Sequence, residues 1–165
     1  MSALEMIRAL YEYNEWANNR VLAVASDLSE EELGREMGAS FGSVQGNLAH
    51  TVTAQVYWLA RWTGSEPVGM PRLGEGRALE AIRESYAISH EGLRRFLGSV
   101  GEADLTRVAS YQDRRGNSLE RPLWQLMLQV ANHGTHHRAE TALLLTSLGK
   151  SPGQLDYLFF EPNRP

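Results

Sequence analysis

The chain has 165 residues, of which 42% are hydrophobic and 22% charged, with a formal net charge of -4 at pH 7. This size and composition exclude wholesale disorder, collagen and coiled coils, and predict a single globular domain over residues 1–165. The acidic balance gives no electrostatic reason to expect a nucleic-acid partner. No cysteine is present, which excludes disulfides, thiolate metal sites and cysteine nucleophiles.

Neither a membrane span nor a signal peptide is evident in the sequence. No run reaches the roughly 18 apolar residues that a membrane helix needs. The first residues mix glutamates with apolar side chains, unlike the basic start and apolar centre of a signal peptide. We therefore expect a cytoplasmic location and no membrane partner.

The first part of the chain predicts two long helices with a short one between them. Residues 3–27 repeat apolar and small side chains at spacings of three and four, which indicates an amphipathic helix. Ser29, with Glu32 three residues later, has the pattern of a capping box and predicts a short helical turn. Ser43 is the expected N-cap of a second long helix that reaches about Trp62.

The second part predicts two more long helices and a small β element. Residues 63–76 hold four glycines and two prolines and are expected to form a loop before a helix over 77–98. Residues 106–120 fit a small hairpin or an extended loop. Pro122 suits the first turn of a last helix, which runs to about Leu148. Together these elements predict an all-α four-helix bundle, with the aromatic residues 156–160 packed on the bundle or on a partner subunit.

The most informative motif lies in the last helix, where residues 133–137 read HGTHH. His133 and His137 are four residues apart, so they share one helical face and can reach one metal ion. No glutamate follows His133, which excludes the HExxH pattern of zinc proteases. Both histidines continue the inward apolar stripe of the helix. They are therefore either metal ligands or core histidines satisfied by hydrogen bonds.

A third ligand has to come from another helix, and His50 is the candidate on the second one. The neighbours of His50 on its face are mostly small or polar. Three histidines leave coordination positions open, as catalytic sites do, and neutral imidazoles suit Zn, Ni, Cu or Fe. We expect His136 to be a flanking, partly exposed residue and His90 to be an ordinary solvated one.

Four segments, in this order and spacing, resemble the DinB family of metal-binding four-helix-bundle proteins (the DinB/YfiT-like group). The resemblance covers about residues 4–160. The segments are YNEWAN at 13–18, FGSVQGNLAH at 41–50, HGTHHR at 133–138, and GKSP with DYL near the end.

The resemblance implies an up-down-down-up bundle, usually a homodimer, with one divalent metal. It implies nickel or zinc held by His50, His133 and His137, with waters completing the shell. Glu140 stands where the family usually has Gln, which leaves a supporting or base role for this residue open. Characterised relatives include transferases and isomerases that use low-molecular-weight thiols. The family name refers to DNA-damage-inducible expression and implies no DNA chemistry.

The function predicted from the sequence is that of a metal-dependent enzyme with a small-molecule substrate, of the thiol S-transferase type. A metal held by three histidines lowers the pKa of a bound thiol and so favours a thiolate nucleophile. A metal-dependent hydrolase is one alternative, and a non-enzymatic metal-binding stress-response module is another. A structural bundle with core histidines is the plainest. Arg138 is expected either to bind a carboxylate of the thiol or substrate, or to form a structural ion pair.

Overall fold

The computed structural model describes residues 1–71, 78–113 and 115–161. Within these ranges the chain forms five α-helices and one two-stranded antiparallel sheet, so the predicted all-α bundle with a small hairpin is confirmed. The helices are α1 (Ala3–Ala25), α2 (Glu30–Gly34), α3 (Val44–Thr63), α4 (Ala78–Ser99) and α5 (Leu123–Ser147). The strands are β1 (Val108–Gln112) and β2 (Ser118–Pro122).

Local capping determines where the helices begin and end. The predicted capping box of Ser29 and Glu32 starts α2, because each side chain bonds the backbone N–H of the other residue. The Ser43 hydroxyl accepts from the Gly46 N–H at 3.1 Å and starts α3. Gly149 follows α5 with a φ of 77°, a left-handed conformation that favours glycine. The caps at Ser29 and Ser43 agree with the sequence predictions.

Two separate apolar clusters at opposite ends of the bundle establish its topology. One cluster combines the N-terminal halves of α1 and α5 with the C-terminal halves of α3 and α4, and contains Leu4, Ile7, Trp62, Phe96, Leu97, Leu126 and Met127. The other combines the remaining halves, and contains Val21, Leu22, Val44, Leu48, Ile82, Leu144 and Leu145. Helices α1 and α5 therefore run in one direction and α3 and α4 in the other, which is the up-down-down-up arrangement.

The connection between α4 and α5 is a hairpin that packs beside α3. Its strands pair in an antiparallel register, with Tyr111 opposite Leu119. The Tyr111 ring meets the edge of Trp58 of α3, with ring centroids 5.1 Å apart. Position 114 of the predicted turn lies outside the described residues. In the predicted loop over 63–76, residues 64–71 form neither helix nor strand, and 72–76 also lie outside that range.

The aromatic residues near the C-terminus pack on α1 of the same chain. The Tyr13 ring contacts Tyr157 and Phe160, with centroids 5.1 and 6.0 Å away. The Tyr13 hydroxyl donates to the Leu155 carbonyl at 2.7 Å. Of the two expectations for this segment, packing on the bundle is therefore the one that the structure realises. Among the described residues, no helix is long and apolar enough to cross a membrane.

The loop between α2 and α3 folds tightly against the start of α3. Its backbone closes on itself, because Met37 donates to the Gly42 carbonyl at 2.8 Å and Gly42 donates to Ala39 at 2.9 Å. The Phe41 carbonyl then lies directly against Gly46 of α3, where a Cβ would collide with it. A glycine at this position is thus what permits the loop to approach the helix.

We predict that Gly46→Ala destabilises the protein by about 1–3 kcal/mol, because the new methyl group displaces the Phe41 backbone. Gly98→Ala is the matched control. Gly98 is exposed in α4 with open space around it. Alanine there is therefore expected to raise the free energy of unfolding by about 0.5–1 kcal/mol. Urea denaturation of the two variants measures both effects. A Gly46→Ala protein as stable as Gly98→Ala would contradict the close approach.

Candidate metal centre

The structure brings together the three histidines that the sequence singled out. His50 lies on α3, and His133 and His137 lie one turn apart on α5. Because α3 packs against α5 in the opposite direction, their middle turns face each other. One ring nitrogen from each histidine lies within 4.8 Å of the others. The Nε2 atoms of His50 and His133 are 3.1 Å apart.

The spacing of these nitrogens fits a metal ion. With metal–nitrogen bonds of about 2.0–2.1 Å, two imidazoles on one ion lie about 2.8–3.4 Å apart at coordination angles between octahedral and tetrahedral. The 3.1 Å separation of the His50 and His133 Nε2 atoms falls within this range. Three imidazole nitrogens are also a donor set that nickel and zinc accept. The residues present therefore fit the predicted group.

A carboxylate supports His137 from behind. The Glu140 Oε2 atom lies 3.5 Å from the buried Nδ1 of His137, which has no hydrogen bond of good geometry among the described residues. A carboxylate at this position favours the proton on Nδ1 and leaves the Nε2 lone pair for a metal. Of the roles that the sequence left open for Glu140, its place beside His137 Nδ1 favours support of that histidine.

Glu140 also fastens the loop that precedes α3. Its Oε1 atom accepts from the backbone N–H of Ser40 at 2.6 Å and from the Ser40 hydroxyl at 2.9 Å. Burial disfavours the charged carboxylate, but the hydrogen bonds from Ser40 and the contact with His137 outweigh burial and lower the pKa of Glu140. The carboxylate is therefore ionised near neutral pH and interacts with Ser40 and His137 at the same time.

Phe41 covers part of the histidine cluster. Its ring stacks on His50 with a centroid separation of 3.6 Å and an interplanar angle of 14°, and it meets the edge of His137 at 5.3 Å. In the sequence, Phe41 stands out only as part of a segment that resembles the family, and no role follows for it from that segment. Its place two residues before the Ser43 cap was the available signal, because a residue there lies close to the first turns of α3.

Arg138 follows His137 but faces α1 instead of the metal cluster. Its guanidinium is buried, with 4% of the residue exposed. It donates to the Asn14 and Asn18 side-chain oxygens, the latter at 2.9 Å, and to the Thr135 hydroxyl at 3.1 Å. No carboxylate among the described residues pairs with it. The structural ion pair expected for Arg138 is therefore wrong, and neutral side chains solvate the charge instead.

His90 was expected to be solvated, and that prediction is wrong. Only 5% of the residue is exposed, and its Nε2 lies 3.3 Å from the Asn18 side-chain nitrogen. Its Nδ1 is 3.9 Å from a Glu15 carboxylate oxygen. Burial lowers the pKa of His90 to about 4, although Glu15 acts in the opposite direction. His136, by contrast, is exposed, as predicted.

We predict that His90 makes the protein less stable in mild acid. The folded chain holds the His90 pKa near 4, whereas unfolded histidine titrates at about 6.5. The unfolded state therefore binds the extra proton, and the free energy of unfolding falls as the pH drops from 6.5 towards 4. Between pH 7 and pH 4.5, wild type should lose roughly 1–3 kcal/mol more than His90→Gln.

Chemical denaturation at a series of pH values, on metal-free protein, measures this difference. His136→Gln is the control, because it makes the same substitution at an exposed histidine. Parallel pH profiles for wild type and His90→Gln would refute the prediction.

Comparisons with known proteins agree with this fold. The model of the DinB family matches residues 1–164. Protein DinB of Bacillus subtilis (strain 168) is 24% identical over 155 residues, which span 90% of this chain and 89% of that protein. The crystal structure of a DinB family member from Shewanella denitrificans superposes with a TM-score of 0.66 at 16% identity, with 98% of each chain covered. This chain belongs to the DinB family.

Proposed function

We propose that His50, His133 and His137 bind one divalent metal ion, nickel or zinc, and that the protein is a metal-dependent enzyme acting on small molecules. The observation that carries the proposal is the convergence of three imidazoles from two helices within 4.8 Å. When bound, the ion would act as a Lewis acid and lower the pKa of a thiol or water beside it. Three protein ligands leave room for such a group.

The residues around the histidine cluster cover one side of it and leave space for a substrate on another. Phe41 stacks on His50 and excludes water from that ring face. Glu140 fixes the orientation of His137. A cavity of about 470 Å³ opens beside His50 and His133, which lies in the usual range for small-molecule sites, roughly 300–1,000 Å³. Substrate therefore has space next to two of the three ligands.

The reaction that we propose is thiol S-transfer. The chain has no cysteine, so the sulfur nucleophile has to come from a low-molecular-weight thiol. In this reaction the thiol loses its proton to solvent, a sulfur–carbon bond forms at the electrophile, and the bond to the leaving group breaks. A protein dedicated to this chemistry needs one cavity for thiol and electrophile together.

The proposal also includes the homodimer that family membership implies and the cytoplasmic location expected from the sequence. Leu158 and Phe159 are 86% and 51% exposed near the C-terminus and are available to a second subunit. Size-exclusion chromatography coupled to light scattering measures the mass. A strictly monomeric protein would remove the dimer from the proposal without affecting the metal site.

The metal site is tested by elemental analysis of untagged protein after size exclusion without chelator. We expect about one nickel or zinc ion per chain. His50→Ala, His133→Ala and His137→Ala should each lose it, because two imidazoles alone bind weakly. His136→Ala is the control on the same helix, since its side chain is exposed and outside the cluster. Unchanged metal content in His133→Ala and His137→Ala would overturn the site assignment.

Glu140→Gln tests the support of His137. The amide oxygen can still accept from Ser40, so the loop is retained, but the negative charge beside Nδ1 is lost. We expect metal affinity, measured by competition with a chromophoric chelator, to fall about 10- to 100-fold. Glu31→Gln, at an exposed acidic residue, should bind as wild type does. Equal affinities for all three proteins would limit Glu140 to holding the loop.

Activity is tested by comparing metal-loaded protein on two panels. One panel combines small thiols with electrophiles, and the other contains esters and amides. Thiol adducts formed by wild type but not by His133→Ala support the proposal. Hydrolysis alone would replace it with the hydrolase alternative, and a bound metal without turnover on either panel would favour a binding module.

A further inference from the structure

The cavity beside the histidines continues as a groove along the outer face of α3. We call it the α3 groove and define it by His50, Ala54, Trp58 and Arg61 of α3 with Tyr111 of β1 and His133 of α5. The four α3 residues recur at spacings of four, four and three, so they form one stripe on the helix. The hairpin supplies the opposite wall. The groove therefore leads from the histidine cluster to Arg61.

Arg61 is an exposed cation without an acidic partner among the described residues. Its guanidinium lies over the Trp58 ring, 4.9 Å from the centroid. This stacking holds the plane of the guanidinium and leaves its N–H edge available for a carboxylate. Trp58 is held in turn by the edge contact with Tyr111. The cation is thus positioned before any ligand arrives.

The acidic side chain at the groove, Asp113, is committed to the hairpin turn. Its Oδ1 accepts from the backbone N–H groups of Arg115 and Asn117 at 2.8 and 2.9 Å, and its Oδ2 accepts from the Asn117 side chain at 2.9 Å. Hydrogen bonds from Asn117 lower the pKa of Asp113. Because its oxygens already accept hydrogen bonds within the turn, Asp113 stays ionised but forms no ion pair with Arg61 among the described residues. Arg61 therefore provides an unpaired cation at the far end of the groove.

The length of the groove sets the size of its occupant. Arg61 is eleven residues after His50, which corresponds to about 16 Å along the α3 axis. A molecule that contacts both ends is therefore elongated, and its middle passes the rings of Trp58 and Tyr111. We propose that the α3 groove binds an elongated small molecule whose far end carries a carboxylate, and that Arg61 pairs with this carboxylate. The assignment of a thiol to the near end rests on the proposed function.

Two peptides that differ in one charge test this inference. Acetyl-Cys-Gly-Gly-Gly has a free C-terminal carboxylate, and its C-terminal amide lacks that charge. Four extended residues span about 13 Å, and the side chains of the cysteine and of Arg61 cover the remaining distance along the groove. Calorimetry on the full chain loaded with cobalt(II) gives the affinity of each peptide, and the cobalt–thiolate absorption band reports whether sulfur reaches the metal.

We expect the acid to bind wild type about tenfold more tightly than the amide. Arg61→Gln should bring this ratio close to one, and Arg61→Lys should retain part of it. Arg95→Gln is the control, because Arg95 is an exposed arginine on α4 that pairs with Glu91. It should behave as wild type does.

The two readouts separate the inference from the proposed function. If the thiolate band forms but acid and amide bind equally, or if Arg61→Gln keeps the preference for the acid, the inference is overturned and thiol binding stands. If no thiolate band forms with either peptide, thiol chemistry at the metal is overturned. A preference for the acid that disappears in Arg61→Gln would still support the role of Arg61.

Discussion

The candidate site depends on a layer of buried polar side chains between the two apolar ends of the bundle. All four long helices contribute to this layer, whose members include Asn14, Asn18, Asn47, Thr51, Gln55, Ser89, His90, Arg138 and Thr141. Isolated charges are costly to bury, so the guanidinium of Arg138 requires its amide partners on α1. Those hydrogen bonds tie α1 to the turn of α5 that carries His137. The ligand helix is therefore held at the level of the cluster.

Glu140 connects the histidine cluster to the surface loop that precedes α3. One of its oxygens faces His137, and the other holds Ser40. The loop that Ser40 belongs to places Phe41 on His50. Removal of this side chain would therefore affect both His137 and Phe41. The substitution Glu140→Gln separates the two effects, because it removes the charge and keeps an oxygen for Ser40.

Sequence periodicity identified the bundle and the pair His133 and His137 because both depend on helical spacing, and His50 followed as the histidine on the second helix. His133 and His137 share a face at any helix position, and the stripe they continue indicated which side is inward. Periodicity does not specify how a residue on another helix is enclosed. The burial of His90 depends on its contacts with Asn18 and Glu15 of α1. The periodicity of its own helix does not show these contacts, so His90 was expected to be solvated. The partners of Arg138 were missed for the same reason.

The histidine cluster and the α3 groove share α3, but one wall of the groove belongs to a different kind of structure. The ligands lie on α3 and α5, whose packing maintains their spacing, whereas Tyr111 and Asp113 of the groove belong to the hairpin between α4 and α5. Connections tolerate changes in length and sequence better than packed helices do. Substitutions in the hairpin can thus change which molecule occupies the groove without moving His133 or His137. The histidine cluster and the hairpin wall of the groove can therefore change independently in this fold.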